Sequence, residues 1–66
     1  MTNKELFEIA LRYIEKDYSA ENLRWGDALY DATQEERETC LDFYSEIKDE
    51  GINWAYKYLD TFKENL

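Results

Sequence analysis

The sequence predicts an all-α protein, a compact bundle of three long helices plus one shorter or irregular helix. Three observations predict it. The 66 residues contain no proline and only two glycines. β-Branched residues are sparse, and strong helix formers dominate. Apolar residues recur at the helical period rather than alternating. No repeat, linker or low-complexity stretch divides the chain, so residues 1–66 read as a single helical domain. A domain this small buries only about 60% of its unfolded surface, which leaves no room for a deep cleft between lobes.

The first helix should run from about Asn3 to Asp17. Thr2 and Glu5 have the spacing of a capping box, in which each side chain satisfies the other's backbone. Leu6, Phe7, Ile9, Ala10, Leu11, Tyr13 and Ile14 fill just over half of the helix circumference. That is more than one neighbour needs, so this should be the central helix, packed against two or more others. Ser19 should cap a second helix that continues to about Ala32. Its pattern is less regular: Trp25, Leu29 and Ala32 share one side, while Leu23 and Tyr30 point elsewhere. Gly26 costs up to about 1 kcal/mol relative to alanine inside a helix, so a break near it is expected.

Thr33 and Glu36 form a second capping box. The third helix then extends to Glu50 and stops at Gly51. Its core face is Cys40, Leu41, Phe43, Tyr44 and Ile47. Asn53 should cap a fourth helix that reaches to near Asn65. Trp54, Ala55, Tyr58, Leu59 and Phe62 make a narrow apolar stripe on it. Short connections make neighbouring helices roughly antiparallel.

Sixteen acids against eight bases give a net charge of −8. This excess opposes binding to phosphate backbones, which calls for clustered Lys and Arg. It equally opposes anionic membrane surfaces. It favours a basic partner, including a protein that itself binds nucleic acid. No apolar run approaches membrane-spanning length, and the N-terminus lacks a signal-peptide pattern, so a cytoplasmic location is expected. Cys40 is the only cysteine. It excludes an internal disulfide and fits a reducing compartment. Beside Leu41 and near Phe43, it reads as a small core residue rather than a reactive thiol.

Enzymatic chemistry finds little support. The chain has no histidine, which removes the usual general base and every Ser-His or Cys-His arrangement. It has no glycine-rich phosphate loop, zinc spacing or EF-hand loop, so no cofactor and no metal are expected. Carboxylate pairs such as Asp27 and Asp31 would need desolvation to act as acid and base. The chain reads as a non-enzyme.

The strongest functional lead is the third helix. Glu35, Glu38, Asp42, Glu46, Asp49 and Glu50 fall within a sector of roughly 120° on its wheel. Arg37 and Lys48, the bases of this segment, project to the other side. Like charges four apart destabilise a helix by a few tenths of a kcal/mol per pair. An ordinary solvated face mixes signs, so an unbroken row of carboxylates suggests selection for a negative surface. Steps of four residues place charges about 6 Å apart. Phosphates along one DNA strand lie roughly 7 Å apart. The row can therefore imitate a short stretch of one strand, with Asp27 and Asp31 extending it at one end. Asp60 and Glu64 could supply a parallel row.

A different reading rests on the aromatics, which make up 17% of the chain. One small core cannot hide them all, and Tyr and Trp favour interfaces. Tyr13, Tyr18, Trp25, Tyr30, Trp54 and Tyr56 are candidate anchors for a protein-interaction module. Tyr56 stands out because it lies off the apolar stripe of its helix. A small regulatory subunit of a larger complex is a further alternative.

The stretch from Leu6 to Ala32 resembles the opening of the Ocr-like phage antirestriction proteins, a family of DNA mimics. The likeness is carried by Leu6-Phe7-Glu8, Ala10, Leu23-Arg24, Asp27 and Leu29-Tyr30-Asp31-Ala32. Further on, Phe43-Tyr44-Ser45-Glu46-Ile47 and Glu50-Gly51-Ile52 resemble segments of the same family. It covers a little over half of the chain. The chain departs from the family in being much shorter, in lacking its long acidic C-terminal helix, and in placing Lys57 and Lys63 on the fourth helix. The resemblance implies a phage or mobile-element inhibitor whose homodimer presents a longer negative array. The resemblance does not identify the target; together with the charge, the expected partner is a basic host protein that handles nucleic acid, of the restriction–modification or CRISPR type.

Overall fold

The computed structural model describes residues 1–62. Among them 81% are helical and none is in a strand. Four α-helices follow in order, α1 (Asn3–Glu15), α2 (Ala20–Trp25), α3 (Gln34–Glu50) and α4 (Ile52–Thr61), with a 3₁₀ turn at Asp27–Leu29. The all-α class is as the sequence indicates, but only α1 and α3 are long, at 13 and 17 residues, against ten for α4. The expected end of the fourth helix near Asn65 lies outside the described residues.

Three helices begin where their caps dictate. Thr2 Oγ1 accepts from the Glu5 N–H at 3.1 Å, while the Glu5 carboxylate accepts from the Thr2 N–H at 2.8 Å. Thr33 and Glu36 repeat this exchange at the start of α3. Ser19 Oγ accepts from the Asn22 N–H at 3.2 Å. The fourth helix starts differently. Its N-cap is Gly51 rather than Asn53, and no side chain caps it. Gly51 has φ 98° and ψ 162°, a conformation essentially reserved for glycine. Its N–H donates to the Ile47 carbonyl, and its own carbonyl accepts from the Ala55 N–H. One residue thus ends α3 and begins α4, which leaves Asn53 inside the first turn.

Helix α1 stops two residues short of Asp17, because Asp17 adopts a left-handed φ of 61° and turns the chain. The second helix breaks at Gly26 as expected, with φ −79° and ψ 168°. A Cβ at Gly26 would lie 2.5 Å from the Asn22 carbonyl oxygen and 2.6 Å from Tyr13 Oη. The break corrects the side assignments that a continuous helix implies. Leu23 is fully buried together with Leu29, whereas Trp25 is 72% exposed. A helical wheel does not carry across an extended residue, so Trp25 and Leu29 part company at Gly26.

The core gathers Leu6, Phe7, Ala10 and Leu11 of α1, Leu23, Leu29, then Cys40, Tyr44 and Ile47 of α3 and Ala55 of α4. Helices α1 and α3 run side by side in the same direction. Cys40 Sγ donates to the Leu6 carbonyl at 3.3 Å near their starts, and Tyr44 Oη donates to the Tyr18 carbonyl at 2.7 Å beyond the end of α1. Helix α4 crosses over Phe7, whose ring lies 5.2 Å from Phe43, 5.0 Å from Tyr58 and 5.6 Å from Phe62 between centroids. Each fully buried Leu or Phe contributes about 1.5–3 kcal/mol. Helix α1 packs against α3 and α4, but α3 meets α1, α2 and α4. The central place expected of the first helix is therefore shared with α3. Leu41 and Phe43 sit half-buried at the edge of the core rather than inside it.

Candidate functional site

Helix α3 turns Cys40, Tyr44 and Ile47 inward. Residues about half a turn away must then face solvent. Glu35, Glu38, Asp42, Glu46, Asp49 and Glu50 all do so, and all are exposed. The helix that anchors the core thus also carries the acidic row, which ties the row to a rigid element. Asp27 and Asp31 are exposed on the segment leading into α3.

None of these eight carboxylates forms an ion pair among the described residues. The bases of α3 are engaged elsewhere. Arg37 Nε donates to the Arg24 carbonyl at 3.0 Å, and a terminal nitrogen donates to the Leu29 carbonyl at 3.0 Å. Lys48 Nζ lies 5.7 Å from the centre of the Tyr44 ring. Asp49 and Glu50 occupy the last turn of α3 beside a single base, Lys48. The helix dipole disfavours anions at that end. Among the described residues no three carboxylates or thiols converge to hold a metal ion, so the row is a spread of separate charges rather than a chelate.

Glu36 lies apart from the row and has a structural task. It receives the Thr33 N–H and pairs with the Met1 amine. The hydrogen bond from that amine, then the one from the Thr33 backbone, hold its carboxyl below the ordinary 4.5. Glu5 is lowered in the same way by its Thr2 bonds.

The aromatic candidates differ in exposure. Trp25 and Tyr30 are 72% and 80% exposed. Trp54 is half-buried against the edge of the core, stacked on Tyr58 at 5.1 Å. Tyr13 is half-buried, with its ring edge-on to the more exposed Tyr18. Tyr56 is exposed on one side, but its hydroxyl donates to the Glu15 carboxylate and links α4 to α1. That bond raises the Tyr56 pKa.

Sequence reasoning missed two residues. The guanidinium carbons of Arg24 and Arg37 each lie 5.9 Å from the Trp25 ring centre. With Gln34 and Glu38 they line a cleft of about 100 Å³. The adjacency of Arg24 and Trp25 was a visible signal. The approach of Arg37 was not, because it depends on how the broken second helix folds back on α3. Two wider clefts, of about 200 and 330 Å³, lie along α1 and between the capped starts of α1 and α3. Among the described residues no helix is long and apolar enough to cross a membrane.

No protein-family model matches this chain, and neither the curated proteins nor the solved structures compared with it include a match.

Proposed function

We propose that this chain is a non-enzymatic inhibitor that presents the acidic face of α3 to a basic, nucleic-acid-handling protein and stands in for phosphates in its binding groove. The observation that carries the reading is a row of six exposed carboxylates on one rigid helix, none ion-paired among the described residues. The fold does not ask for them. Neighbouring like charges weaken the helix, and Asp49 and Glu50 oppose its dipole. Glu38, Asp42, Glu46 and Glu50 span roughly 18 Å in steps close to the phosphate spacing of a DNA strand. The likeness of Leu6–Ala32 to Ocr-like antirestriction proteins points to a phage or mobile-element origin, a cytoplasmic site of action and a restriction or CRISPR target.

The test is competition. A fluorescent DNA duplex bound to a purified type I restriction enzyme, or to a CRISPR effector, is titrated with the wild-type chain and with Glu38→Lys/Asp42→Lys/Glu46→Lys. Circular dichroism checks that the variant keeps its helices. Mimicry predicts displacement by the wild type that weakens steeply as salt rises, and none by the variant. Equal displacement by both proteins, or by neither across such targets, refutes it.

A further inference from the structure

One small cleft of this acidic protein is lined by two guanidinium groups. Trp25 is 72% exposed at the end of α2, and two guanidinium groups approach it, each 5.9 Å from the ring centre. Arg37 is not a free surface side chain. Its two bonds to the Arg24 and Leu29 carbonyls, both 3.0 Å, fix the guanidinium in place. Those bonds use Nε and one terminal nitrogen, so donors on the outer edge of the fork remain. Arg24 forms no ion pair among the described residues. Glu38 lines the same cleft but lies beyond ion-pairing distance of both arginines. Two cations and one anion thus line this cleft within a chain of net charge −8.

We infer that the Arg24–Trp25–Arg37 cleft is a docking site for a protein segment that presents a carboxylate side chain beside an apolar residue. The carboxylate would accept from the two guanidinium groups, and the apolar neighbour would cover the indole. Size decides the class of ligand. A cleft of about 100 Å³ takes one side-chain head. It falls well short of the roughly 300–1,000 Å³ of sites that enclose a cofactor or nucleotide. Charge decides its sign, since Arg donates in a planar fork that matches a carboxylate. Composition agrees, because Trp, Tyr and Arg dominate interface hot spots, and Tyr30, 80% exposed, lies a few residues along the chain. An ordered Arg37 also reduces the entropy lost on binding. This inference does not rest on the phosphate-mimic reading, although Glu38 belongs to both surfaces. A partner engaging both would meet a negative row and, next to Glu38, a notch lined by two arginines.

The experiment is a titration of the isotope-labelled full chain, followed by the Trp25 indole and Arg side-chain N–H signals in NMR spectra. The probes are acetyl-Leu-Glu-Leu-amide, acetyl-Leu-Gln-Leu-amide and inorganic phosphate. The Glu peptide should shift these signals saturably. The Gln peptide should bind about tenfold more weakly, as expected for loss of a charge-assisted bond. Arg24→Gln, which leaves the two structural bonds of Arg37 in place, should lose most of the response, and Trp25→Ala should weaken it. Equal binding of the Gln peptide, or no saturable shift, overturns the inference. Phosphate saturating the same signals as tightly as the Glu peptide would reassign the site to small anions and overturn it too. So would shifts that follow protein concentration alone, which assign the face to a second copy of the chain.

Discussion

The Arg37 guanidinium donates to the Leu29 carbonyl at 3.0 Å, and so ties the 3₁₀ turn to α3. Its Nε holds the Arg24 carbonyl at the same distance. These carbonyls belong to α2, which has six residues, and to a 3₁₀ turn of three, each too short to persist alone. Arg37→Met keeps the apolar stem but removes the side-chain donor from the Arg24 carbonyl and leaves the Leu29 carbonyl with only the Ala32 N–H. It is expected to lower stability by about 1–3 kcal/mol in urea unfolding. Arg37→Lys should recover little of this, because an ammonium cannot reach both oxygens as a fork does. A wild-type midpoint for Arg37→Lys would show that the fork is not what holds the segment.

Cys40 is fully buried, and burial pushes its thiol up to about 11. Its Sγ donates to the Leu6 carbonyl at 3.3 Å. Thiolate is the reactive form, so the native protein should resist alkylation. Iodoacetamide at pH 8 is expected to modify Cys40 only as fast as the chain opens, with the rate rising through the urea transition. Labelling at the rate of a free thiol in the absence of urea would contradict the burial.

Much of this architecture was legible in the residues themselves. Thr2–Glu5, Thr33–Glu36 and Ser19 announced three helix starts because a cap is a local, three-residue event. The exposed row on α3 followed from period alone, since the same helix had to turn Cys40 and Ile47 inward. What stayed hidden was set by the backbone between helices. Asn53 looks like a cap, but Gly51 reaches a conformation that lets one residue serve two helices. Trp25 looks like a partner of Leu29 until Gly26 breaks the phase. The approach of Arg37 to Trp25 is a tertiary contact that no helical spacing encodes.

Acid should weaken the fold in part through its capping boxes. Thr2 bonds hold Glu5, and the Met1 amine and Thr33 hold Glu36, below the ordinary 4.5. A depressed carboxyl stabilises the native state fully above its unfolded value. That contribution is lost as pH falls through the lowered native value. The stability of the wild type should therefore carry a component that declines from about pH 4.5 downward. Glu5→Gln/Glu36→Gln can still accept the backbone bonds but cannot titrate, so its stability should fall less steeply over that range. Urea midpoints measured from pH 3 to pH 6 make the comparison. Parallel curves for the two proteins would remove the boxes from the acid response.

The acidic face of α3 should be dispensable for folding, and Glu50 is where this shows best. It stands four residues after Glu46 and in the last turn of the helix, beside Asp49. Glu50→Lys removes one like-charge pair, offers Glu46 an opposite one, and sets a cation at the end where the dipole welcomes it. These effects together should raise stability by about 0.5–1.5 kcal/mol at low ionic strength. The gain should shrink toward zero in 1 M salt, where charges interact over only about 3 Å. Urea unfolding at both salt concentrations measures it. If Glu50→Lys instead destabilises the chain, the carboxylate has a structural partner, and the row could no longer be read as a surface that the fold merely tolerates.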